Sequence, residues 1–211
     1  CVLHGMQGTP YIFQGEELGM TNVRFQDISH YRDIETLHLY EERLEAGYDR
    51  DDVMASIYAK SRDNARTPMQ WDDSRCAGFT AGEPWIEVNP NYREINAAAQ
   101  MADPDSVFRF YQKLVALRKE YPVFVDGRFE LLFPEDEKIF AYTRTSGDTR
   151  LLVLANFSGE DAVCDLPKEW AEGQVLIHSC AGEDKEAGGR SGWKQGRLQP
   201  YEALMVLSGK G

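Results

Sequence analysis

The chain has 211 residues, 42% hydrophobic and 27% charged, the balance of a folded globular protein with a real core rather than a disordered one. Its formal net charge of −12 argues against a nucleic-acid or anionic-membrane partner, since either calls for a basic face. No apolar run approaches the roughly 20 residues of a membrane-spanning helix, and no charged-then-apolar leader opens the chain.

The sequence begins at Cys1 and enters apolar residues at once, as a piece of a longer protein would. Cys1 to Met6 reads as the last turn of a helix. Thr9-Pro10-Tyr11-Ile12-Phe13-Gln14, bounded by Gly8 and Gly15, predicts a short buried strand with Pro10 near its start. Glu16 and Glu17 come immediately after, at the end of a strand where parallel α/β architectures bind ligands. Asp33 to Ala46 predicts a helix carrying Ile34, Leu37 and Leu44, closed by Gly47. A second helix, capped by Asp51 or Asp52, carries Val53, Met54, Ile57 and Tyr58 and runs to Asn64 or Ala65. It ends there because Pro68 disfavours the α conformation at Thr67.

Residues 72–92 are rich in Gly, Pro, Asn and Asp and read as a long functional loop holding Phe79 and Trp85. A short helix is expected over Ile95–Met101, and a longer one opens at Asp105-Ser106 with Val107, Phe110, Tyr111, Leu114 and Leu117 on one face. Beyond Pro122 the pattern changes to short strands, at Arg128–Phe133, Lys138–Thr145, Arg150–Asn156, Gln174–His178 and Ala203–Ser208. Their spacing predicts an antiparallel sandwich or barrel. The division of the chain is therefore expected near Pro122, giving domains of residues 1–121 and 122–211.

Few side chains carry chemistry by pattern alone. The four histidines show no zinc-binding spacing, so no metal site is expected. Cys1, Cys76, Cys164 and Cys180 lack CxxC spacing and read as free thiols of a reducing compartment, with a Cys164–Cys180 bridge left open. Gly188-Gly189-Arg190-Ser191-Gly192 is a turn rather than a phosphate cradle. The stretch Ser61-Arg62-Asp63-Asn64-Ala65-Arg66-Thr67-Pro68 is the most informative. It delivers the Arg66 fork of donors off a helix end, suited to a structural ion pair with a carboxylate or to sugar hydroxyls. Trp71, Phe79, Trp85 and Tyr92 suit either stacking on pyranose faces or pinning the loop.

These motifs carry a family resemblance. Gly8 to Asn22 resembles the eighth-strand segment of α-glucosidases in the α-amylase family, glycoside hydrolase family 13. Ser61 to Trp71, Ala77-Gly78-Phe79-Thr80 through Pro84-Trp85, and Asn89-Pro90-Asn91-Tyr92 resemble the region after that strand in oligo-1,6-glucosidases, dextran glucosidases and trehalose-6-phosphate hydrolases. The resemblance runs to about residue 145. It implies an α/β plus all-β fold, the last β/α unit of an incomplete (β/α)8 barrel followed by an antiparallel β-sandwich C-terminal domain. It further implies a cytoplasmic retaining glucosidase, with no cofactor, acting on α-1,6 or related bonds of short α-glucoside oligosaccharides.

In that family the catalytic carboxylates lie upstream of the eighth strand, so no Asp or Glu here is assigned a catalytic role, and the isolated chain is expected to be inactive. Arg66 matches an arginine that pairs with an acid and holds the non-reducing-end glucose. Glu17 is a second candidate for the sugar, although adjacent carboxylates on a strand point to opposite faces and one of Glu16 and Glu17 would then serve the backbone or an arginine. Arg62 and Asp63 brace the loop. Residues 1–120 should expose apolar surface belonging to absent strands. The rival readings are a trehalose-6-phosphate hydrolase or sucrose isomerase, a non-catalytic amino-acid-transporter heavy chain of the same architecture, and a carbohydrate-binding module.

Overall fold

The computed structural model describes residues 1–180 and 196–209, so the turn read at Gly188–Gly192 lies outside the described residues. In chain order the helices are α1 (Val2–Gly5), α2 (Ile34–Glu45), α3 (Arg50–Lys60), α4 (Ala97–Ala102), α5 (Val107–Glu120) and α6 (Val123–Asp126). The strands are β1 (Arg128–Leu132), β2 (Ile139–Ser146), β3 (Thr149–Asn156), β4 (Ala162–Val163), β5 (Gln174–His178), β6 (Arg197–Leu198) and β7 (Ala203–Ser208). They fall into two compact units, Cys1–Tyr11 with Phe110–Gly211, and Ile12–Arg109.

The first unit is built on a five-stranded antiparallel sheet in the order β1-β2-β3-β7-β5. Side chains alternate across a strand, and here both sets find a core. Tyr142, Leu151, Val153, Met205 and Leu207 pack with Leu114, Leu117, Val123 and Phe124 of the helices. Ala141, Leu152, Leu154, Leu204 and Val206 pack on the other face with Trp170 and with Ala162 and Leu198 of the small β4–β6 pair. Burial on both faces explains why β3 reads as an unbroken Leu-Leu-Val-Leu run rather than an alternating one. Segment 1–11 belongs to this unit through α1: Tyr142 donates to the Val2 carbonyl at 2.6 Å, and Gly5 lies so close to Tyr142 and Val153 that a Cβ there has no room.

The second unit has its own core of Val23, Phe25, Tyr31, Val53, Met54, Ile57 and Ile86. Helix α2 starts as read, with Asp33 accepting from the Thr36 N–H. Helix α3 is capped not by Asp51 or Asp52 but by Asp49, whose carboxylate takes both of their N–H groups; the cap lies one residue outside the first turn, and the two acids line that turn. The same helix stops at Lys60 instead of Asn64. Ser61 adopts an extended conformation (ψ 137°) and its hydroxyl accepts the Asp63 N–H, restarting the chain as a 3-10 turn over Arg62–Ala65.

Two further expectations change. Thr9–Gln14 forms no strand, and Tyr11 and Phe13 are 90% and 56% exposed. A strand exists only through hydrogen bonds to a neighbour, and none of the described strands lies beside this segment. Glu16 and Glu17 sit on a 3-10 turn, Glu16–Leu18, rather than on a strand. All four cysteines are free.

Candidate functional site

The second unit gathers three of the four predicted site residues around one carboxylate that the sequence marked only as a helix start. Asp33 closes the first turn of α2, accepting from the Thr36 N–H at 3.2 Å and its hydroxyl at 2.9 Å. Its other oxygen accepts from Arg66 Nη1 at 3.3 Å, with Arg62 Nε at 3.9 Å. Burial raises the affinity of this carboxyl for a proton, but the Thr36 bonds and the two arginines outweigh it, and the group is held below the usual carboxylate range.

Asp63 is fully buried beneath the pair. Its Oδ2 accepts the backbone N–H groups of Arg32 at 2.6 Å and Asp33 at 3.0 Å, and its Oδ1 faces Arg66 Nη1 at 3.8 Å. Thr36 Oγ1, its proton given to Asp33, accepts from Ser61 Oγ at 2.9 Å, tying the start of α2 to the end of α3. Arg62 reaches outward and pairs with Glu35. Arg66 is thus anchored at one nitrogen by two buried acids while its side chain stays 40% exposed. A fork held at one tine, with a side chain still 40% exposed, suits vicinal hydroxyls or a carboxylate.

Glu17 is not part of this cluster. Its Oε2 accepts the Gly15 N–H at 2.7 Å and stabilises the turn in which Gly15 takes a positive φ of 95°. A cleft of about 220 Å³ runs past Phe13, Glu16, Asn22, Asn64, Ala65 and Thr67, so the chain on either side of Arg66 lines it.

The long loop is tied down by amides and by Ile86, buried in the core, more than by its most exposed aromatics. Trp71, Phe79 and Trp85 are all about half exposed or more. Asn89 Nδ2 donates to the Thr21 carbonyl at 3.0 Å and Asn91 Nδ2 to its hydroxyl at 2.9 Å. Buried Gln70 donates to Asn91 Oδ1 and to the Ile95 carbonyl, and its backbone carbonyl accepts from Ala97. Sequence reasoning missed Asp33, Gln70 and Asn89 as members of this framework. Their only local signal was an amide or acid beside a helix start or a proline.

Residues 1–127 match the family model described as the alpha amylase catalytic domain, and residues 129–204 match that of the maltogenic amylase C-terminal domain. The chain belongs to the α-amylase family. It carries part of that family's catalytic domain, with a C-terminal antiparallel domain after it. It is 52% identical over 207 residues to an oligo-1,6-glucosidase of Bacillus cereus, a match covering 97% of this chain and 36% of that protein. A trehalose-6-phosphate hydrolase of Bacillus subtilis is 47% identical over 203 residues, covering 96% and 36%. Among solved structures, the trehalose-6-phosphate hydrolase of Bacillus licheniformis aligns with a TM-score of 0.88 at 43% identity, over 99% of this chain and 37% of that one. The trehalulose synthase of Pseudomonas mesoacidophila aligns at 0.82 and 38%, over 98% and 36%. The chain therefore spans little more than a third of the length of these relatives.

Proposed function

We propose that this chain is the pocket-forming and C-terminal part of a cytoplasmic, retaining α-glucosidase that hydrolyses α-1,6-glucosidic bonds of short oligosaccharides. The observation that carries the reading is the Arg66 guanidinium, tethered to buried Asp33 and Asp63 and still 40% exposed. Identity of 52% to an oligo-1,6-glucosidase supports the linkage. On this reading Arg66 holds hydroxyls of the terminal glucose, Arg62 and Asp63 support it, and Glu17 contributes through Oε1, the oxygen not taken by Gly15. Residues 1–121 belong to the barrel and 122–211 to the C-terminal domain. Retaining hydrolysis needs a nucleophile and an acid/base carboxyl about 5 Å apart. No acid of this chain is proposed for either role, so the 211 residues alone are inactive.

The test is an assay of the full-length protein, its Arg66→Ala variant and the 211-residue chain on isomaltose, trehalose-6-phosphate and sucrose. Isomaltose hydrolysis that collapses in Arg66→Ala, with none from the chain alone, is the expected result. Preference for trehalose-6-phosphate would favour the second reading, which the 47% identical hydrolase supports. An inert full-length protein would move the assignment to a non-catalytic partner or binding module.

A further inference from the structure

We propose that Asp63 is the positioning residue of the Arg66 site, a second carboxylate seat that fixes the direction in which the guanidinium faces. The inference rests on the reading of Arg66 as the sugar-holding group.

Asp63 is 0% exposed, and its two oxygens have different surroundings. Oδ2 is saturated by the N–H groups of Arg32 and Asp33. Oδ1 has no hydrogen-bond partner among the described residues, and the cation nearest to it is Arg66, with Nη1 at 3.8 Å. A buried carboxylate oxygen left without compensation is costly, so this one is tolerated because a positive charge faces it. The backbone enforces the pairing, because the Arg66 N–H donates to the Asp63 carbonyl at 3.0 Å across the 3-10 turn. Residues i and i+3 of such a turn lie on the same face.

Asp63 also acts from the other side. By holding the Asp33 N–H it sets the backbone that presents the Asp33 carboxylate to the same Nη1 at 3.3 Å. With Asp33 alone, one long hydrogen bond would tether Arg66 and leave the planar fork free to swing. With both acids converging on Nη1, the fork is held while its other N–H groups have no protein partner among the described residues and the side chain stays 40% exposed. A fixed fork loses less rotamer freedom when a ligand arrives.

The test uses the full-length protein with isomaltose. In Asp63→Asn the side-chain oxygen can still serve the Arg32 and Asp33 N–H groups, but an NH2 donor then faces the Arg66 donor. A KM raised about tenfold with kcat changed less than about twofold is expected, the signature of lost uniform binding. The Asp63→Asn/Arg66→Gln double variant should be no worse than Arg66→Gln alone, because Asp63 acts through Arg66. Additive losses, or a wild-type KM in Asp63→Asn beside an impaired Arg66→Gln, would overturn the positioning role. A wild-type KM in Arg66→Gln would instead overturn the sugar-holding reading, and this inference with it. Should Asp63→Asn fail to fold, the NMR signals of the wild-type Arg66 guanidinium decide. Separate, slowly exchanging Nη protons support the two-acid seat, and averaged ones refute it.

Discussion

Arg144 and Arg118 share one acceptor: the Nη1 of each donates to the Phe124 carbonyl, at 2.9 and 3.3 Å. Arg144 is fully buried and pairs with no carboxylate among the described residues. Its remaining donors go to the Gly127, Gly5 and Val125 carbonyls, while Arg118 serves His4, Met6 and Gly8. The His4, Gly5, Phe124 and Val125 carbonyls belong to the ends of α1 and α6, which leave such groups unsatisfied, so the two cations cap both helices. Replacing Arg144 by Met should cost about 3 kcal/mol, since several buried acceptors lose a charged donor. Lysine should not rescue it, lacking the planar fork. Urea unfolding of the two variants checks both statements, and a lysine variant as stable as wild type would refute the second.

Asp33 should make stability depend on acid. Its folded-state affinity for protons is depressed, so it contributes stability above the unfolded value of about 4, and that contribution fades as pH falls through the lower folded value. Asp33→Asn keeps an acceptable helix cap and removes the charge. The variant should be less stable by about 1 kcal/mol at pH 7, the difference between charged and neutral hydrogen bonds. Urea midpoints of the two proteins should converge as the pH falls through the lower folded value. A gap that stayed constant with pH would show that the charge is irrelevant.

Gln70 should govern how firmly the 72–92 loop is closed. Gln70→Leu strips partners from Asn91 Oδ1 and the Ile95 carbonyl, a loss of about 2 kcal/mol. Hydrogen exchange at the Ala97 and Ala98 amides, which bond to the carbonyls of Gln70 and Trp71, should speed up, and limited proteolysis should cut within the loop. Unchanged exchange at both amides would mean that the loop is held elsewhere.

Cys164 should be the inert thiol. Burial, then the nearby charges of Asp136 and Asp165, pushes it up to about 11. At pH 8 only about one molecule in a thousand carries the thiolate, the reactive form, against roughly a quarter for a free cysteine. A brief iodoacetamide pulse read by mass spectrometry should leave Cys164 unmodified in native protein and label it in urea. Prompt native labelling would contradict the burial.

What could be read from the chain was whatever is decided locally. Gln174–His178 and Ala203–Ser208 are strands at the expected residues because apolar, β-prone runs between turn signals need no distant information. Asp33 as the start of α2 was legible for the same reason. The two-residue strands Ala162–Val163 and Arg197–Leu198 were not, since two residues carry no period. Thr9–Gln14 has strand composition, yet pairing depends on neighbours and composition does not supply them. Arg66 was read as leaving the end of the long helix but follows a separate 3-10 turn; its acidic partner stands 33 residues earlier, and nothing in a local pattern links the two. Arg144, a cation among Tyr and Thr in a strand, gave no hint that its guanidinium gathers the carbonyls of four other residues.

The unit that holds the five-stranded sheet takes its first strip from Cys1–Tyr11 and the rest from Phe110 onward. A ribosome makes those two pieces at opposite ends of this stretch, with the 98 residues of Ile12–Arg109 between them. The Val2 and Gly5 carbonyls must wait for Tyr142 and Arg144, and the central strand β3 waits for β7, which is made later still. The intervening unit, whose core lies entirely within Val23–Ile86, is complete long before. Synthesis therefore makes the unit bearing Arg66 available to fold before the strands that complete the sheet around Cys1–Tyr11 have been made.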